Sequence, residues 1–278
     1  MSTWLITGCS TGLGRQLATA VLAQGHNAVV TARDPAQVRD IVADHPDTGL
    51  ALPLDVTDDA QATAAVKQAT ERFGGIDVLV NNAGYGYRAA VEEANEADVE
   101  ALFATNFFGT VRMIKAALPG MRARKQGTIV NLSSIAGRLA APGSGYYSAT
   151  KFAVTGMSDA LRKEVGPLGI RVVVVEPGAF RTDFSGRSLK GAATRIADYD
   201  KTAGPRRKEN DTSHGTQDGD PARAAQAMID VVGLDKPPFR LLLGKDALDR
   251  ADDVLAAQRQ EMDAFRSMTE STGFRPGG

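Results

Sequence analysis

The chain alternates short apolar runs with longer amphipathic stretches, and the alternation begins almost at once. Trp4-Leu5-Ile6 is an apolar strand that runs into Thr7-Gly8-Cys9-Ser10-Thr11-Gly12-Leu13-Gly14. After that turn Leu17, Ala20, Val21 and Ala23 recur at helical spacing. Asn27 to Ala32 predicts a second strand, closed by Arg33-Asp34-Pro35, where the proline suits the first turn of a helix. Leu50 to Leu54 predicts a third strand that delivers Asp55 and Val56, and a helix from Ala60 to Phe73 stops at Gly74-Gly75. A fourth strand, Ile76 to Val80, leads into Asn81-Asn82-Ala83-Gly84. Next come a helix from about Glu96 to Leu118, a strand from Thr128 to Leu132 that ends near Ser134, and a helix carrying Tyr147 and Lys151 through Val165. The run Arg171 to Val175 is β-branched almost throughout, which predicts a strand covered on both faces.

Strands alternating with helices in this way predict an α/β fold: a single domain built on a doubly wound, Rossmann-type parallel sheet, with ligands at the C-terminal ends of the strands. That domain is expected over 1–244. Within it, from about Phe184 to Asp220, the composition shifts to Gly, Ser, Thr, Lys, Arg and Asp with little apolar periodicity. So long an irregular stretch inside a domain predicts either a lid or disorder, and a substrate lid over 184–220 is expected. Order returns at Asp220-Pro221, a capped start for a helix through Val232, followed by a last strand from Phe239 to Leu243. Beyond Gly244 a charged helix, about Ala247 to Met268, and a Gly-rich tail make a C-terminal helical extension over 245–278.

A chain of 278 residues supports a full core for one such domain. Charged residues make up 23% and the formal net charge is −1, so no electrostatic footprint for nucleic acid or an anionic membrane is expected. The basic run Arg206-Arg207-Lys208 is followed at once by Glu209 and reads as a solvated loop. A single cysteine, Cys9, excludes an internal disulfide, and His26, His45 and His214 lack ligand spacing, so no metal site is expected. No apolar run approaches the roughly 18 residues of a membrane span. The first strand starts close to Met1, which leaves no room for a cleavable targeting segment, and a cytoplasmic protein is expected.

Tyr147-Ser148-Ala149-Thr150-Lys151 puts a phenol and an ammonium on one helix face. A free phenol titrates near ~10, so its use as a base at neutral pH asks for roughly 4 kcal/mol of help. A cation at ~4 Å gives about 1 kcal/mol in bulk water and about 4 at an effective dielectric of ~20, so the pair works only where water is kept out. The plain alternative is an aromatic core contact beside a solvated lysine stem. The glycine turn has its own chemistry: glycines let backbone approach a pyrophosphate, and the helix start offers N–H groups and partial positive charge. A tight turn without ligand is the alternative there.

Ser134 thirteen residues before Tyr147, Lys151 four after it, the turn Gly8-x-x-x-Gly12-x-Gly14 with Thr7 in front, and Asn81-Asn82-Ala83-Gly84 together resemble the short-chain dehydrogenase/reductase family. The resemblance covers nearly everything to Gly244. It implies that Ser134 hydrogen-bonds the substrate oxygen, Tyr147 passes the proton, and Lys151 lowers the phenol's pKa and holds the nicotinamide ribose. It also implies that Asn106 binds a water relaying protons toward Lys151. Tyr146 does not match, because Thr150 lies four residues beyond it. Cofactor contacts are implied for Gly8, Ser10, Thr11, Gly12, Leu13 and Gly14 in the turn, and for Asp55 and Val56 at the adenine. Further contacts are implied for Asn81, Ala83 and Gly84, for Tyr147 and Lys151, and for Pro177, Gly178 and Thr182 around the nicotinamide amide and pyrophosphate.

The implied reaction is reversible hydride transfer between a nicotinamide cofactor and a small secondary alcohol or ketone. The implied assembly is a homo-oligomer, dimer or tetramer, through the helices carrying Asn106 and Tyr147. Relatives of the family offer an isomerase, epimerase or dehydratase on the same residues. A redox-sensing dinucleotide binder without turnover is the rival from another class, but binding alone needs no serine. Cofactor choice turns on the end of the second strand, where a carboxylate would bond the ribose 2′-hydroxyl of NAD and repel a 2′-phosphate. With Ala32 at that position the acid is absent and Arg33 can pair with the phosphate, so NADP(H) is expected. A register two residues on would put Asp34 there and make NAD(H) possible. Asp34 before Pro35 is well placed to cap a helix instead. Tyr85, Tyr87, Phe180 and Phe184 flank the expected cleft and suggest a mainly apolar carbonyl compound, unless they are core.

Overall fold

Strand β1 (Thr3–Ile6) serves two cores at once, because successive side chains of a strand face opposite ways. Trp4 and Ile6 enter one core and Leu5 the other. This holds in the computed structural model, which describes residues 1–182, 189–207 and 215–274. Around β1 stand β2 (Asn27–Ala32), β3 (Gly49–Pro53), β4 (Val78–Asn81), β6 (Gly127–Leu132), β7 (Ile170–Pro177) and β9 (Arg240–Leu243). Among the described residues these form one seven-stranded parallel sheet in the order β3-β2-β1-β4-β6-β7-β9. A small parallel pair, β5 (Gly86–Arg88) with β8 (Leu189–Gly191), lies outside it.

Helix α1 (Gly12–Ala23) and the short α2 (Arg39–Val42) cover the Trp4 face together with the helix Pro221–Gly233. Helix α3 (Asp59–Phe73) begins under an Asp58 cap, whose Oδ1 accepts from Ala60 N at 2.8 Å, and it ends at left-handed Gly74. Helix α4 (Glu96–Phe103) and helix α5 (Gly109–Arg124) come next, then α6 (Gly145–Val165), which bears Tyr147 and Lys151. Helices α3, α5 and α6 cover the Leu5 face. Helix α7 (Pro221–Gly233) starts as its Asp220-Pro221 signal predicts, with Asp220 Oδ1 accepting from Ala222 N at 2.8 Å, and its Met228 and Ile229 complete the Trp4 core.

Three expectations change. The helix expected from Glu96 to Leu118 is broken by a π-helical turn at Ala104–Phe108 and then runs past Pro119 to Arg124, because Met121 is fully buried and anchors the last turn. The irregular stretch over 184–220 holds regular structure where it is described: β8, a 3-10 turn at Ala197–Tyr199 and a buried Ala203. Its anchors are polar and therefore leave no apolar period. The buried carboxylate of Glu93 accepts from Ala90 N at 2.9 Å and Ile196 N at 2.8 Å and pairs with Arg207. That pairing also corrects the solvated-loop expectation for Arg206 and Arg207, which are both half-buried; Lys208 and Glu209 lie outside the described residues.

The C-terminal extension is helix α8 (Lys245–Ala264) followed by α9 (Arg266–Glu270). Only Ala247 and Ala251 of α8 are buried, against Ile135, Leu139 and Leu242. Leu255, Met262 and Phe265 stand exposed. No described helix is long and apolar enough to cross a membrane. Core and extension should answer differently to truncation. Leu79→Ala, in the fully buried β4, is expected to cost about 2 to 5 kcal/mol. Leu255→Ala is expected to stay within about 0.5 kcal/mol. Urea unfolding of both variants checks this, and equal losses would show that the α8 face is covered in solution.

Candidate active site

The strand order reverses between β1 and β4, and the crevice at the ends of those strands opens into a cavity of about 1030 Å³. One end is made of backbone. Gly8 (φ 70°) and Gly12 (φ 62°) take left-handed conformations that favour glycine. A Cβ on Gly14 would stand 2.3 Å from Asn82 Nδ2 and 2.6 Å from Gly8 O, so only glycine fits there. The turn is tied to the end of β4: Asn82 Nδ2 donates to Thr7 O at 2.8 Å and Gly8 O at 2.9 Å. In return Thr7 Oγ1 accepts from Asn82 N at 3.0 Å and Ala83 N at 2.9 Å. The Thr11 side chain makes no capping bond to α1, which leaves the helix start available to an anion. Ser10, Thr11, Gly12 and Leu13 line the cavity beside it. Cys9 is no nucleophile, since burial pushes its thiol up to about 12.

Past β2, Ala32, Arg33 and Gln37 border the cavity. Asp34 is engaged elsewhere: its Oδ1 accepts from Ala36 N at 3.0 Å and caps the 3-10 turn Pro35–Val38. Asp55 and Val56 line the cavity, and Asp55 Oδ1 accepts from Thr57 N at 2.8 Å and Thr57 Oγ1 at 2.7 Å, while the helix cap is Asp58. Pro177, Gly178 and Thr182 close the opposite wall, and Thr182 Cβ lies 3.5 Å from where a Cβ on Gly12 would sit.

The other end holds the side chains. Ser134 opens a 3-10 turn after β6, its Oγ accepting from Ala136 N at 3.1 Å, and it hydrogen-bonds the phenol of Tyr147. Tyr147 and Lys151 occupy successive turns of α6 and are both buried. Lys151 Nζ donates to Leu132 O at 2.8 Å and lies 5.8 Å from the centre of the Tyr147 ring. Burial pulls the Lys151 ammonium down to about 8. Burial also pushes the Tyr147 phenol up, against smaller downward pulls from the Ser134 bond and the charges of Arg88 and Arg206. The phenol expected to be lowered beside Lys151 is instead raised. Desolvation outweighs those pulls, and desolvation likewise disfavours the ammonium.

Asn106 sits in the π turn, fully occupied. Its Nδ2 donates to Tyr85 O at 2.9 Å and Thr150 Oγ1 at 3.2 Å, and its Oδ1 accepts from Tyr85 N at 3.0 Å. It lies behind Gly84, where a Cβ would be 3.1 Å from Asn106 Oδ1 and 3.7 Å from Lys151 Nζ. π turns of this kind recur at functional sites. Asn81 stands away from the cavity: it donates to Asn131 Oδ1 at 2.8 Å, and Asn131 donates to Ser158 Oγ at 2.8 Å. Its neighbour Asn82, with Ala83 and Gly84, lines the cavity instead.

Of the four aromatics, Tyr85 and Phe180 line the cavity. Tyr87 is core, with its hydroxyl on Asp98 at 3.2 Å, and Phe184 lies outside the described residues. Tyr146 donates to Val91 O at 3.2 Å, away from the site. The sequence pattern does not mark Arg88, Ser144 or Lys190 and places Arg206 in a solvated basic run, yet all four line the cavity.

The family model described as short chain dehydrogenase matches residues 2–192. Oxidoreductase BOA17 of Botryotinia fuckeliana is 40% identical over 262 residues, covering 93% of this chain and 95% of its own. A short-chain dehydrogenase from Streptomyces avermitilis, solved as a crystal structure, is 39% identical with a TM-score of 0.91, covering 98% of this chain and 100% of its own. An alcohol dehydrogenase from Thermococcus sibiricus, complexed with 5-hydroxy-NADP, is 25% identical with a TM-score of 0.72, covering 87% of this chain and 96% of its own.

The buried ammonium makes stability depend on pH. Lys151 titrates at about 8 when folded, below its ordinary 10.5, so the unfolded chain holds this proton more tightly. The penalty is complete below about 8 and fades as pH rises toward 10.5. Between about pH 7 and about pH 9.5, wild type should therefore gain about 1 to 2 kcal/mol relative to Lys151→Met in urea unfolding. A difference that stays constant would mean that the ammonium is solvated.

Proposed function

The chain belongs to the short-chain dehydrogenase/reductase family, and from that premise we propose that it is an NADP(H)-dependent oxidoreductase interconverting a secondary alcohol and a ketone. A nicotinamide dinucleotide is the cofactor class of the family's structures, as in the Thermococcus sibiricus enzyme. The observation that carries the proposal is the arrangement of one cavity: the glycine turn and open start of α1 at one end, and Ser134, Tyr147 and Lys151 at the other. When bound, the cofactor supplies or accepts the hydride at the substrate carbon.

The chain's own residues handle position and proton. Tyr147 gives its proton to the carbonyl oxygen in reduction and takes it back in oxidation, and Ser134 donates a hydrogen bond to the same oxygen. Burial favours the protonated phenol, which suits a proton donor. Lys151 holds the ribose hydroxyls, and Asn106 keeps the Tyr85 backbone beside it, at the start of the proton path. The segment 184–220 acts as the lid, with Glu93 gripping its described part through Ile196 and Arg207.

NADP(H) is favoured over NAD(H) because Arg33 faces the cavity while Asp34 is engaged as a cap. Homo-oligomerisation gains support from Phe108, beside α5, and Phe152 of α6, which are 53% and 45% exposed. An isomerase, epimerase or dehydratase on the same residues is the competing reading, and assays of net redox turnover separate the two.

Tyr147→Phe should abolish nearly all NADPH oxidation with a ketone panel while leaving NADPH affinity almost intact, because it deletes the proton donor and little else. Ser134→Ala should lose less, about 2.7 to 4 kcal/mol of barrier. Near-normal rates in the Phe variant would sink the assignment. For the cofactor, Arg33→Ala should cost about 1.5 to 3 kcal/mol of NADPH binding and barely alter NADH binding. Calorimetric titration that finds NADH bound as tightly as NADPH by the wild type would shift the ribose contact to Asp34.

A further inference from the structure

Glu176, the residue before Pro177 at the end of β7, is fully buried, and it reaches the turn that carries Ser134. A carboxylate taken out of water needs partners, and among the described residues they are Arg138 and Arg240. Arg138 Nε donates to its Oε2 at 2.6 Å, with the two side chains 15% and 0% exposed. Arg240 Nη1, from β9, stands 3.6 Å from its Oε1, which makes no hydrogen bond among the described residues. The directional contact is therefore the one to Arg138, which closes the 3-10 turn Ile135–Gly137 that Ser134 opens. The backbone ladder between β6 and β7 ends at Ser133, whose N donates to Val175 O at 2.8 Å. Beyond it the turn bonds to itself, with Gly137 N donating to Ser134 O at 2.8 Å and Arg138 N to Ile135 O at 3.0 Å. Side chains take over the tie to the end of β7: Arg138 grips Glu176 closely, while Ser134 Oγ reaches Pro177 O only at 3.5 Å.

A buried ion pair is a poor device for stability, because desolvation of the two charges offsets most of their attraction, but it can hold one geometry against others. The geometry held here is the spacing between the Ser134 turn and the strand end that leads into Pro177 and Gly178, both on the cavity wall. We propose that Glu176 is a positioning residue: through Arg138 it fixes the Ser134 hydroxyl where it bonds the phenol of Tyr147 and, with it, the reacting oxygen of the substrate. This deepens the oxidoreductase reading and rests on it.

Glu176→Gln keeps the shape of the side chain and removes its charge, and Arg138→Met removes the other end of the pair from a more accessible position. The assay is NADPH oxidation by the full chain with the best ketone of a panel that includes cyclohexanone and acetophenone. Each variant should lower kcat about tenfold to a hundredfold with KM little changed, the scale expected when an oriented group is slightly misplaced. Arg138→Lys should recover part of the Met variant's loss. In the Ser134→Ala background both substitutions should have little left to remove, because they act through that hydroxyl. The same fractional loss with and without Ser134, or a near-normal kcat in Arg138→Met, would overturn the proposal. The Cζ resonance of Tyr147, in protein labelled at that carbon of tyrosine, reads the Ser134 bond without turnover. Glu176→Gln should shift it in the direction that Ser134→Ala does, and the double variant should coincide with Ser134→Ala alone. An unmoved resonance in Glu176→Gln would also overturn the proposal. The expected shifts in a protein that reduces no carbonyl would sink the oxidoreductase reading and leave the role of Glu176 standing.

Discussion

Where β1 and β4 part, two neighbouring parallel strands send their chains to opposite sides of the sheet, and the gap between them has to be closed without filling it. Thr7 and Asn82 do this with hydrogen bonds. The ladder continues one step through Thr7 N to Val80 O at 3.0 Å, and then side chains take over from backbone. Every donor and acceptor so engaged is one that water need not satisfy, so the turn can stay open to the cavity on its other side. The same closeness excludes a Cβ at Gly8 and Gly14, where Ala83 and Asn82 already stand. The start of α1, and with it the anion-accepting end of the cavity, is fixed by this contact.

At the far end the governing quantity is desolvation, and it acts on two groups in opposite senses. Burial raises the phenol of Tyr147 and lowers the ammonium of Lys151, so both are pushed toward their neutral forms. The ammonium donates to Leu132 O, at the end of β6. On the proposed reading, a ligand that fills the cavity removes the remaining water between them. Attraction at ~4 Å then rises from about 1 toward about 4 kcal/mol. On that reading, the dry setting that opposes ionisation of each group is also what makes their charges act strongly on one another.

The fold was legible because each strand and its following helix is a local unit with its own period and punctuation. Asp34-Pro35 and Asp220-Pro221 cap as their chemistry requires. What was not legible depends on contacts between distant residues or on a single step of register. Asn81 and Asn82 read alike in sequence, yet Asn81 is the last residue of β4 and turns into the sheet, while Asn82 is past its end and meets the glycine turn. Asp55 and Asp58 divide in the same way between cavity and cap. The break at Asn106 is followed by Gly109, but one glycine inside an apolar helical run does not specify a π turn, and Glu93 reads as one more surface acid until Ile196 and Arg207 close over it.

These contacts divide the cavity into two ends built by different rules. The proposed dinucleotide end is made of backbone, close approach and short side chains within single βα turns, so it can be read from local spacing. The proposed substrate end is made of long side chains that arrive from β5, β8 and residues 204–207, which only the tertiary fold brings together. Its fixed point is Ser144, held by the bridge to Ala89 and by Ala89 N donating to Gly143 O at 3.1 Å. One backbone step divides two neighbours: Arg207 pairs with the Glu93 carboxylate, while Arg206 Nε donates to the hydroxyl three residues before Tyr147. Any shift of this segment is therefore felt at the phenol as a change in field as well as in space.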